Sequence, residues 1–296
     1  MIEPASSDAK KEEHMIELAE NRYGKSRVRL MKVVRGPDGN DLREWTVQVM
    51  LTGDFDSAHY KGDNSKILPT DTMKNTVYCM AHKSNATSME DYAKDLVEFL
   101  LKRNAQVWKV QVSVESAMWK RLTVDGLPHP TAFMRGSGEV QTTEVSRAQG
   151  GEFRIVSGFR DLVVMKTADS GFEGYIKDEL TTLKETGDRL FCTAVTADWN
   201  YTGPVEDFDI TRDSMREAML KTFAEHKSKS VQETLYAMGK SALLEAVEVG
   251  WIDLKMPNKH CLPVDLSRFG EENTNEIFVP TDEPAGQIEA RVRRRP

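Results

Sequence analysis

Four small groups of residues in this chain have types and spacings that could do chemistry. Thr70 and Asp71 follow Pro69 at the head of a helical pattern. Thr and Asp there ordinarily serve as caps, and the same helix start offers free N–H groups and partial positive charge to an anion. Val231 and Gln232 occupy the first turn after Ser230. That position is commonly an exposed helix start, yet a backbone N–H beside a carboxamide matches a heterocycle with a ring N–H next to a carbonyl. Asn258 and His260 lie two apart after Pro257, so an extended backbone puts both on one face, with Lys259 on the other. Lys25 follows Tyr23 and Gly24. On a surface it is an ordinary lysine; buried beside a hydroxyl, its pKa falls and it can act as a general base.

Metal chemistry has no comparable signal. Cys79, Cys192 and Cys261 lie far apart, and six histidines are scattered without HExxH or zinc spacing. Their odd number discourages a disulfide framework. The expectation is three reduced thiols and a reaction that runs without a protein-bound metal. A net charge of -7 argues against a nucleic-acid partner. No apolar run is long enough for a membrane span. The polar first residues lack a signal-peptide core, and the Arg-Arg-Arg-Pro end is not a peroxisomal address. A cytoplasmic protein is expected.

The elements that must position these groups follow from periodicity. Residues 1–16 read as a mobile polar tail. Val28 and Leu30, a turn at Gly36-Pro37-Asp38-Gly39, then Trp45, Val47, Val49 and Leu51 predict a long hairpin. A helix from Thr70 aligns Met73, Val77 and Met80-Ala81. Another, opened by the Ser88/Asp91 capping box, aligns Tyr92, Leu96, Phe99 and Leu100. Trp108, Val110, Val112 and Val114 predict one face of a strand, and Asp125-Gly126-Leu127-Pro128 turns it into the next. Gln149-Gly150-Gly151 is read as a boundary between domains 17–150 and 151–296.

The second half repeats the plan. A hairpin is predicted from Phe153 and Ile155 to Leu162–Met165, and a short helix near Tyr175–Leu183. A strand is predicted over Leu190–Ala197, and a helix opened by Asp213 that aligns Met215, Met219 and Phe223. A helix capped by Ser230 and Glu233, a strand through Ile252 and Leu254, and a last strand near Ile277–Val279 complete it. Strand, strand, helix, helix, strand, strand, twice over, is an α+β arrangement with antiparallel sheets and helices on one face.

Several blocks, taken in order, resemble the urate oxidase family. These are Tyr23-Gly24-Lys25 with Val28-Arg29-Leu30; Lys61-Gly62-Asp63-Asn64-Ser65 followed by Thr70 through Thr76; Gly126 through Pro130; and Asp178 through Thr186. Lys221-Thr222-Phe223-Ala224 with Ser230-Val231-Gln232, and Leu254 through His260, complete the set. The resemblance runs from about residue 20 to 290.

It implies the tunnelling fold: tandem ββααββ domains closing barrels in a homotetramer, with active sites at subunit interfaces. It implies urate and O2 as substrates, 5-hydroxyisourate and hydrogen peroxide as products, and no cofactor. By position, Phe172 matches the aromatic that stacks on the purine, and Arg189 with Gln232 matches the clamp on its polar edge. The N–H groups of Asp71 and Val231 match further contacts. Lys25 and Thr70 match the general-base pair, His260 a residue that tunes it, and Asn258 one that holds oxygen or water over the ring. Gly187 replaces a bulkier residue common in fungal members, and Cys261 stands where an aromatic or aliphatic is expected. Two rivals remain. One is an enzyme of the same fold acting on another purine or pterin, such as a cyclohydrolase; its zinc-using forms need clustered Cys and His. The other is a catalytically silent binding relative.

Overall fold

The computed structural model describes residues 16–295; most of the expected tail lies outside them. β1 (Tyr23–Gly36) and β2 (Gly39–Gly53) form the expected hairpin, with Gly36 opposite Gly39. Alternation places Trp45, Val47, Val49 and Leu51 inward, all buried. Three helices follow: a short α1 (Asp56–Lys61), α2 (Thr70–Lys83) and α3 (Met89–Arg103). Ser88 caps α3 by accepting from the Asp91 N–H at 3.1 Å, as its capping pattern predicts. β3 (Val107–Val124) and β4 (Leu127–Ala148) complete the unit. Asp125 and Gly126 both take positive φ, the type I′ geometry that suits a two-residue hairpin loop.

The second unit comprises β5 (Arg154–Lys166), β6 (Phe191–Tyr201), α4 (Phe208–Glu225), α5 (Val231–Glu245), β7 (Val249–Lys255) and β10 (Glu289–Arg293). Between the last two runs an excursion, β8 (Asn258–Pro263) and β9 (Phe278–Gly286), paired with each other. One antiparallel sheet runs β1-β2-β3-β4-β5-β6-β7-β10, with β8 paired to β6. It is continuous through the β4–β5 pair. The apolar side chains nevertheless gather in two clusters, from Val28 to Val145 and from Phe159 to Met256. In the first, α2 packs on β1 and α3 on β3 and β4; in the second, α5 packs on β7 and β10.

Five expectations are corrected. Trp108 is exposed and Val107 takes the inward place, because a bulge opposite Thr52 and Gly53 turns Trp108 out. Phe153 to Met165 is no hairpin. From Arg154 onward it lies on one strand, β5, whose inward phase shifts at a bulge between Phe159 and Leu162, where Asp161 takes positive φ. Residues 175–183 form a loop, where Asp178 accepts from the Leu180 N–H and the Thr181 hydroxyl and so competes with helix formation. α4 starts at Phe208, capped by Asp207, so Asp213 lies inside it. The strand near Ile277–Val279 is the start of β9, while β10 closes the sheet.

Buried ion pairs tie the two halves together. Glu90 on α3 meets Arg212 on α4, both essentially solvent-free, and the Ser157 hydroxyl donates to Glu90 at 2.5 Å. Glu139 of β4 receives a forked contact from Arg216 of α4 at 2.8 and 2.7 Å.

Candidate active site

The candidate residues fall into two groups. The first lies where β1 meets the start of α2. The Tyr23 hydroxyl accepts from the Leu68 N–H at 2.7 Å and donates to the Leu68 carbonyl at 3.1 Å; burial raises its pKa. This fixes the loop that delivers Thr70. Gly24 lies so close to β2 that a Cβ would sit 1.8 Å from the Val49 carbonyl oxygen, so only glycine fits. Lys25 is half-buried opposite Val49, just before a bulge at which Arg27 takes positive φ.

Thr70 and Asp71 do not cap α2. Pro69 occupies the cap and no side chain accepts there. Thr70 is the first helical residue, exposed, and the first-turn N–H groups lack intrahelical acceptors. The Asp71 carboxylate is engaged by Lys74 and by Asn75. The Lys74 contact lowers its pKa most, and the Lys25 ammonium adds to the shift. Lys25 is therefore within electrostatic reach of the helix start.

The second group is built by the loop between β5 and β6. Gly171 N–H donates to the Ser228 carbonyl at 2.8 Å, Ser228 N–H to Asp169 at 2.9 Å, and Arg189 N–H to Ser170 at 2.6 Å. Phe172 and Thr186 exchange backbone bonds. The loop is thereby strapped to the segment that opens α5. There Ser230 accepts from the Glu233 N–H at 3.1 Å, which leaves the first-turn donors of Val231 and Gln232 without acceptors inside the helix. Val231 is buried and Gln232 exposed.

The Arg189 guanidinium lies 5.2 Å from the centre of the Phe172 ring. It is half-buried, burial lowers its pKa, and its Nε is buried without a hydrogen-bond partner. Guanidinium stays charged in proteins, so this is a desolvated cation with a donor to spare.

Asn258 lies opposite Thr193 of β6, whose buried Oγ1 also lacks a partner. His260 lies opposite Thr281, and a bulge in the β8–β9 pairing separates the two residues. Both are half-buried. β6 begins at Phe191, so Asn258 sits close in the fold to Arg189.

Phe172, Arg189, Val231 and Gln232 are thus drawn together, with Asn258 and His260 on the adjoining strand. Lys25, Thr70 and Asp71 are not among them. β1 and β6 are five steps apart in the sheet, roughly 24 Å along it. Positioning residues that sequence reasoning missed include Ser170, Ser228 and Thr193. Lone Ser and Thr carry no pattern that would single them out. Among the described residues no group of three or more His, Cys, Asp or Glu side chains is placed to hold a metal ion.

Tandem ββααββ units sharing one antiparallel sheet, with helices on one side, define a protein of the tunnelling-fold class. Within that class the match is specific: the uricase family model covers residues 21–146 and 155–289, and the chain belongs to that family. It is 38% identical to the uricase of Dictyostelium discoideum over 95% of this chain and 98% of the relative. With the uricase of Arthrobacter globiformis it shares 39% over 94% and 90%. The crystal structure of the Arthrobacter globiformis protein superposes with a TM-score of 0.88, covering 94% of this chain and 95% of that one. Urate oxidase from Bacillus sp. TB-90, at 20% identity and a TM-score of 0.80, shares the fold.

Proposed function

We propose that this chain oxidises urate with O2 and water to 5-hydroxyisourate and hydrogen peroxide, without a metal or organic cofactor, as a step of purine degradation. The observation that carries the reading is the half-buried Arg189 guanidinium, its Nε buried without a hydrogen-bond partner, over the Phe172 ring beside the segment that opens α5. An anionic, planar heterocycle supplies what that arrangement lacks: acceptors for a planar fork and a ring to stack.

Urate is an anion at neutral pH. Phe172 carries its ring, Arg189 and Gln232 clamp its polar edge, and the N–H groups of Val231 and Asp71 donate to its remaining oxygens or nitrogen. Lys25, acting through the Thr70 hydroxyl, removes a further proton, and His260 tunes that relay. The electron-rich ring then reduces O2 held near Asn258. Water adds to the oxidised ring, and the two electrons and two protons leave as hydrogen peroxide. The protein deprotonates, orients and shields.

Because Lys25 and Thr70 lie far along the sheet from Arg189, each site takes them from a neighbouring copy, in a homotetramer of chains divided into domains at residues 17–150 and 151–296. Among the described residues no helix is long and apolar enough to cross a membrane; a cytoplasmic setting is part of the proposal. The test is loss of the urate ultraviolet band in air with peroxide measured in parallel, with and without chelator. Equal loss under both conditions supports the reading. Activity that needs added metal, or no loss from folded protein, rejects it.

A further inference from the structure

Phe172 does not stand alone in its loop. Gly174 takes a left-handed conformation, φ +71°, and folds the chain back so that the Tyr175 ring lies on the Phe172 ring. Their centroids are 4.9 Å apart and their planes 13° from parallel. Tyr175 is itself fixed. Its hydroxyl donates to the Leu183 carbonyl at 2.6 Å, and the Lys177 ammonium lies 5.5 Å from its ring centre. Lys177 is held by Glu185 at 3.2 Å, and Glu185 accepts from the Gly174 N–H at 2.9 Å. A column results: Glu185, Lys177, Tyr175, Phe172.

We propose that Tyr175 is a positioning residue for the purine: it backs the Phe172 ring, over which the Arg189 guanidinium also lies, and so fixes the plate against which urate stacks. The inference rests on Phe172 being the plate that carries the substrate ring.

The physical case is one of freedom removed beforehand. A phenylalanine on a half-buried loop keeps rotamer freedom that substrate binding would have to remove. Offset stacking on a fixed neighbour removes it in advance and is worth a modest amount beyond area burial. The stack acts on substrate and transition state alike, because the ring stays planar and in place through deprotonation. Its loss should therefore raise KM and leave kcat nearly unchanged.

The test compares Tyr175→Ala, Tyr175→Leu and Tyr175→Phe. Steady-state kinetics on urate are combined with the urate dissociation constant measured without oxygen, and folding is checked by circular dichroism. Tyr175→Ala is expected to raise KM and the dissociation constant together, by about two- to tenfold, with kcat little changed. Tyr175→Leu, which keeps bulk without the stack, is expected to match it. Tyr175→Phe keeps the ring, loses only the bond to Leu183, and is expected to restore binding. A lower KM in Tyr175→Ala overturns the proposal, since Tyr175 would then occupy the place of the substrate ring. A fall in kcat with KM unchanged, or wild-type kinetics in both Ala and Leu variants, overturns it while leaving urate oxidation standing. Wild-type protein that neither binds nor consumes urate overturns both.

Discussion

Arg189 is held to Phe172 from two directions: its guanidinium lies 5.2 Å from the ring centre, and its backbone N–H is bound to Ser170, two residues before that ring, at 2.6 Å. The strap fixes cation and aromatic plate as one unit. Its geometry suits a planar fork, not a point charge. Arg189→Lys keeps the charge and loses the fork. It is expected to weaken urate binding at least about tenfold, the low end for a charge-assisted pair. Titration of urate without oxygen reads this directly; an unchanged dissociation constant would remove Arg189 from the site.

Ser228 is the other end of the strap. Its hydroxyl donates to the Ser230 carbonyl at 3.1 Å and receives the Thr234 hydroxyl at 2.8 Å, all within the turn that opens α5. Ser228→Ala takes the nearer of two acceptors from the buried Thr234 hydroxyl, which keeps the Ser230 carbonyl at 3.3 Å. A loss of about 0.5–1.5 kcal/mol is expected, with KM affected more than kcat because the clamp is loosened. Thermal unfolding and kinetics on one preparation would show both; loss of kcat alone would contradict it.

Much of this was legible in the sequence, and the limits have physical causes. Capping at Ser88 and Ser230 and the inward faces of β2, α4 and α5 follow from local periodicity, which burial enforces. Trp108 and the strand through Phe159 and Leu162 escaped because a bulge changes the inward phase without changing composition. Loop 167–190 escaped because its shape is set by bonds to Ser228, some forty to sixty residues along the chain. The roles of Phe172 and Arg189 were read from family likeness and not from spacing. No periodicity links an aromatic to an arginine seventeen residues later.

Glu44 sets an acid limit on stability. Its side chain is mostly buried and receives Arg29 at 2.7 Å, Trp119 at 3.0 Å and Arg135 at 2.6 Å. These bonds, Arg29 foremost and Trp119 next, lower its pKa below the ordinary 4.5. A depressed carboxylate contributes stability that is present above its unfolded pKa and is lost as pH falls through the folded one. Stability is therefore expected to decline below about pH 4.5, and Glu44→Gln should flatten that limb while costing stability at neutral pH. An acid limb that is the same in both proteins would assign the decline to other groups.

Glu90 and Arg212 join α3 to α4 in a space almost free of solvent. Removing one partner strands the other charge, which costs about 3–5 kcal/mol. Arg212→Ala is expected to unfold at markedly lower denaturant. Arg212→Met with Glu90→Leu, which removes both charges and keeps the bulk, should recover much of the loss. A double variant as unstable as the single one would mean that the pair attracts more than its desolvation costs.

The division of the candidate site between β1 and the β5–β6 loop leads to a test of assembly. Lys25→Ala and Gln232→Ala are each expected to abolish most activity. If one site takes Lys25 from one copy and Gln232 from the next, a mixed oligomer contains sites in which both residues are intact. With equal, random mixing, the donor of Lys25 is intact half the time and so is the donor of Gln232, so about a quarter of sites should work. Mixing two dead proteins under conditions that exchange subunits would then restore roughly a quarter of wild-type activity. If both residues served the same site from one chain, every site would carry one lesion and mixing would restore nothing. The readout therefore separates a site shared between subunits from one completed by a rearrangement within a single chain.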